Sequence, residues 1–87
     1  MPANPEQKAR TFARIVALHD RLGSWERACE ALSKYAPRPV GRSEMQRWLG
    51  LHPRHVEIGA ATLAWLTDAV EEAWREVERG CGAVRTS

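Results

Sequence analysis

Cysteine and lysine are scarce in this chain, with two of each, and no stretch is apolar for long enough to span a bilayer. Each shortage excludes a class of protein. Cys29 and Cys81 lie far apart in no paired spacing, which argues against a disulfide framework and predicts reduced thiols in the cytoplasm. The longest apolar-rich run, GAATLAWL, falls well short of the roughly 20 residues a membrane-crossing helix needs. The N-terminal MPANPEQKAR lacks the apolar stretch of a secretory leader, so no targeting segment is expected. Alternating strand patterns, internal repeats and low-complexity segments are missing. So are a glycine-rich phosphate loop, a nucleophile elbow and paired catalytic carboxylates, and neither an enzyme nor a cofactor is expected. His52 and His55, three apart with Glu57 nearby, make one loose pair where zinc sites use two clusters, so no metal is assigned. A phosphate is the alternative ligand for these histidines.

What is present suits one small folded domain over residues 1–87. At 87 residues there is room for a single modest core, and 44% hydrophobic content with 28% charge lies far from the composition of disordered chains. The net charge of +2 hides an asymmetry: residues 1–54 carry +5 and residues 55–87 carry −3. Eleven of the thirteen cations are arginine, whose planar fork suits phosphates and guanine edges. GC-rich coding DNA would produce the same bias.

The periodicity predicts an all-α domain of four helices. Asn4 is an N-cap, Pro5 suits the first helical position, and Gln7 completes a capping-box pattern. Phe12, Ile15, Val16, His19 and Leu22 then recur at helical spacing until Gly23 stops the helix, with His19 as a partly buried packing residue. Ser24 caps a second helix, WERACEALSKY, with Trp25, Ala28, Cys29 and Leu32 on its apolar side. Pro37 and Pro39 force a turn or extended stretch. A third helix runs from about Arg42 to Leu49 and ends at Gly50. A long fourth helix is expected from Pro53 to about Arg79, followed by a frayed tail over 80–87.

The second and third helices resemble the helix-turn-helix of bacterial, phage and plasmid repressors over residues 24–50. The carriers are the small Cys29, then Leu32 and Ser33, then VGRSEMQRWL, which is similar to the common VSRSTVSRWL form of the recognition segment. It matches at Val40, Arg42, Ser43, Arg47, Trp48 and Leu49, with Met45 in the central apolar slot. KYAPRP between Ser33 and Val40 departs from the compact motif and enlarges the turn. The resemblance implies a third helix that enters the major groove. Ser43, Glu44, Gln46 and Arg47 would then face base edges, and Arg38 and Arg42 would meet phosphates.

In the fourth helix Val56, Gly59, Leu63, Leu66, Val70, Ala73 and Val77 alternate steps of three and four, a seam widened by Ile58, Trp65 and Ala69. So wide a stripe predicts a homodimer with Val56, Leu63, Leu66, Val70 and Val77 at its interface; the other arrangement is the spine of a monomeric core. Asp68, Glu71, Glu72, Glu76 and Glu78 would face solvent, away from DNA. The expectation is a cytoplasmic, sequence-specific binder of double-stranded DNA that regulates transcription, most simply as a repressor. The rival is a small helical inhibitor, an antiactivator or phage-encoded antagonist, whose four tryptophans and many arginines grip a protein partner.

Overall fold

Asn4 starts the first helix as its chemistry requires: the side-chain oxygen accepts from the amides of Glu6 and Gln7 at 2.9 and 3.3 Å. The computed structural model describes residues 4–86, with side chains over 4–79. Helix α1 spans Pro5–Leu22 and closes on Gly23, whose φ of 86° lets its amide reach the His19 carbonyl at 2.8 Å. Ser24 then caps α2, Trp25–Ser33, by accepting the Arg27 amide at 3.1 Å. Helix α3 covers Arg42–Leu49 and ends on Gly50 at φ 78°, and α4 runs over Ala60–Thr86. There is no strand among the described residues, and the class is all-α.

Ile15 and Leu18 of α1, Ala28, Cys29 and Leu32 of α2, and Met45 and Trp48 of α3 meet Leu63, Leu66, Val70 and Ala73 of α4 in one buried core. Helix α4 packs against α1 and α2, while α3 sits on α2 and reaches α4 through the edge-on Trp48–Trp65 pair at 6.4 Å. One polar pair is built into the α1–α4 seam. Thr67 donates its hydroxyl to the Leu63 carbonyl at 2.8 Å, so the buried Thr11 is the donor in the 2.9 Å contact between the two threonines.

Several sequence expectations are corrected here. Gln7 does not close a capping box: its side-chain amide donates to Thr67 at 3.2 Å and ties α1 to α4. Val16 stays 41% exposed, and Thr11 and Leu18 occupy the buried face instead. Helix α2 ends at Ser33, two residues before Tyr35.

The fourth helix begins at Ala60, seven residues later than Pro53. A helix drawn through 53–59 would turn Val56 inward, but the Val56 amide donates to the Arg47 carbonyl at 3.2 Å and its side chain is 45% exposed. Ile58, from the same non-helical segment, fills the core in its place. The backbone then remains helical to Thr86, past the expected end at Arg79.

The proposed dimer seam is also reassigned. Leu63, Leu66 and Val70 are buried by the chain's own α1 and α2, and Val77 packs on the same core. They are the spine of one chain. Only Val56 remains exposed, and it lies outside the helix.

The acidic side of α4 is not simply solvated. Glu71 pairs with Arg14 at 3.4 Å, and Glu76 pairs with Lys34 at 3.1 Å and accepts from the Tyr35 hydroxyl. These bonds hold the Glu76 carboxyl below its ordinary range.

Candidate nucleic-acid interface

Helix α3 is amphipathic in a way that fixes its outer face. Met45 and Trp48 are buried against α2 and α4, which leaves Arg42 and Ser43 exposed and Gln46 and Arg47 half-buried on the remaining surface. At about 100° per residue these four positions occupy one contiguous sector of the helix. Glu44 lies on its border, next to Trp48.

Arg38 and Glu44 do not stand apart as separate phosphate and base contacts. The Arg38 guanidinium grips both Glu44 oxygens, at 2.7 and 2.9 Å, and touches the Pro39 carbonyl at 3.3 Å. Its carbon lies 5.4 Å from the centre of the Trp65 ring on α4. The pair is bidentate and lies beside an aromatic face, on side chains that are 48% and 35% exposed. The residue expected at a phosphate and the residue expected at a base edge are thus paired with each other in the free chain.

The other candidates are differently placed. Among the described residues the ion pair of Arg42 is a long one, to Glu26 at 3.9 Å, on an exposed side chain. Arg47 is half-buried, and its Nε is sealed from solvent without a hydrogen-bond partner. Ser43 is open and Gln46 half open at the surface.

Sequence reasoning missed the segment after α3. The Leu51 amide donates to the Gln46 carbonyl at 2.9 Å, and with the Val56 to Arg47 bond this folds residues 51–56 against the C-terminal end of α3. The Arg54 amide donates to His52 Nδ1 at 3.1 Å, which sets a local turn after Pro53. Arg54 is exposed with no ion-pair partner among the described residues, and His55 is exposed beside it. Exposed arginines therefore stand at Arg42 in α3 and at Arg54 just beyond its end. The LHPRH cluster of proline, arginine and histidines was the available signal.

No helix among the described residues is long and apolar enough to cross a membrane. No group of three or more His, Cys, Asp or Glu among them could hold a metal ion. Compared with models of known families, with curated proteins and with solved structures, the chain matches none.

Proposed function

We propose that this chain is a binder of double-stranded DNA that regulates transcription in the cytoplasm, most simply as a repressor that occludes a promoter. The observation that carries the reading is the outer sector of α3, where the positions of Arg42, Ser43, Gln46 and Arg47 share one side of a helix anchored from behind by Met45 and Trp48. A helix of this diameter fits a major groove, where a carboxamide can pair with adenine and a guanidinium with guanine or phosphate. Arg54 extends the cationic surface beyond the helix end. With the α4 seam internal, the proposal places no dimer contact there.

The test is selection of duplexes from a random pool at fixed salt, followed by Ser43→Ala with Gln46→Ala. The double variant should unfold within about 0.5 kcal/mol of the parent, as surface substitutions usually do, and should lose its preference for the selected sequence over random duplex. A pool that yields no enriched sequence would sink the reading.

A second reading, a helical inhibitor that binds a protein, is favoured by Leu51 at 59% exposure and Val56 at 45%, two apolar side chains at the surface on the segment that folds against α3.

A further inference from the structure

The six residues that enlarge the turn between α2 and α3 have a consequence for charge. They carry Arg38 between Pro37 and Pro39, both of fixed φ, and deliver its guanidinium onto Glu44 in the first turn of α3. Glu44 suits that turn because a carboxylate there complements the helix dipole. It does not suit a surface that approaches DNA, since an uncompensated carboxylate repels phosphates across a screening length of about 8 Å at physiological salt.

We propose that Arg38 is the built-in counter-ion of Glu44, a positioning residue that keeps the edge of α3 electrically neutral toward DNA while itself touching no phosphate. The proposal rests on the reading of α3 as the DNA-facing helix. Three residues engage the guanidinium of this half-exposed side chain: Glu44 through both carboxylate oxygens, Pro39 through its carbonyl, and Trp65 of α4 through its ring. An arginine poised for phosphate would present its fork to solvent, as Arg54 is free to do. The enlarged turn is then the means by which a cation from outside the helix is brought over an acid within it.

The experiment compares duplex affinity at fixed salt for the parent, Arg38→Ala, Glu44→Ala and the double variant. Arg38→Ala should weaken binding roughly tenfold, because it bares a like charge toward phosphate. The double variant should return to the parent's affinity. It lacks the same link between turn and helix, so its recovery is not explained by a restored turn. Nuclear magnetic resonance of the Arg38 guanidinium protons in the complex supplies the second readout: their contacts to Trp65 should persist when duplex is added. A double variant as weak as Arg38→Ala, or loss of the Trp65 contacts on binding, overturns the counter-ion role and makes Arg38 a direct phosphate contact. A parent chain that binds no duplex even at low salt removes the DNA reading itself, and the counter-ion role with it.

Discussion

The Ser33 hydroxyl accepts the Val40 amide at 3.0 Å and so closes the turn between α2 and α3 across the six residues that enlarge it. This bond joins the last residue of α2 to the buried residue that leads into α3. The loop can be long because its ends are tied together, and closure entropy grows only slowly with loop length. Tyr35 and Ala36 add turn bonds to Leu32 and Ser33, at 3.1 and 3.4 Å.

Ser33→Ala therefore leaves the Val40 amide, in a part-buried site, without its acceptor. The expected loss of stability is about 1–3 kcal/mol, the usual cost of an unsatisfied buried donor. Amide exchange at Val40 should accelerate more than at Leu32. Equal protection of Val40 in the variant and the parent would mean that the turn is held by Val40 packing alone.

Leu66→Lys is expected to abolish folding. Leu66 is fully buried between α4 and its neighbours within one chain, and a charge there has no partner. Even Leu66→Ala should cost about 2–5 kcal/mol, a large share of the total for a small domain. Circular dichroism with sedimentation separates the cases: a folded monomer from Leu66→Lys would contradict the core assignment and return the residue to an interface.

Local chemistry made the helix ends legible, and long-range contacts hid the rest. Asn4, Gly23, Ser24 and Gly50 act within four residues of themselves, so a linear reading finds them. The start of α4 was hidden because Val56, Gly59 and Leu63 keep helical spacing through a segment whose conformation is decided elsewhere, by the Arg47 carbonyl and by the core space that Ile58 fills. Periodicity also marks a stripe for burial without naming what covers it, which is why the α4 seam reads equally as a dimer face and as a spine. Thr11 and Thr67, 56 residues apart, leave no periodic trace at all. On α3 the apolar and polar faces were legible from spacing, but the pairing of Arg38 with Glu44 was not. Their separation of six residues crosses a turn whose path no propensity dictates.

Cys29 should be an inert thiol. Burial pushes its pKa up from 9.0 to about 11, against a smaller opposite effect of Arg42. A raised value in the folded state means that this group's contribution to stability is fully present below pH 9 and is lost as the pH climbs toward about 11. In a Cys81→Ser background, a thiol reagent at pH 8 should modify the chain only after denaturant is added, and thermal stability should decline across that alkaline window. Rapid modification of the native chain would show that the α2–α3 contact opens readily.

Leu51 and Val56 separate the two functional readings, because they are the apolar side chains most exposed on the segment beside α3. Neither carries charge, and neither contributes its side chain to the core. Leu51→Ser with Val56→Ser should leave unfolding within about 0.5 kcal/mol of the parent, and the two backbone bonds to Gln46 and Arg47 should survive. If α3 binds DNA through its polar sector and Arg54, duplex affinity at fixed salt stays unchanged, as does its salt dependence, which counts phosphate contacts alone. A protein partner would be affected differently, since exposed aliphatic groups can supply the desolvated centre of such an interface. Cells that express the double variant should then lose whatever regulatory effect the parent exerts while the purified variant still binds duplex normally. That combination would favour the inhibitor. Loss of the cellular effect in Arg54→Ala, in step with a duplex salt slope reduced by about one contact, would favour the DNA reading.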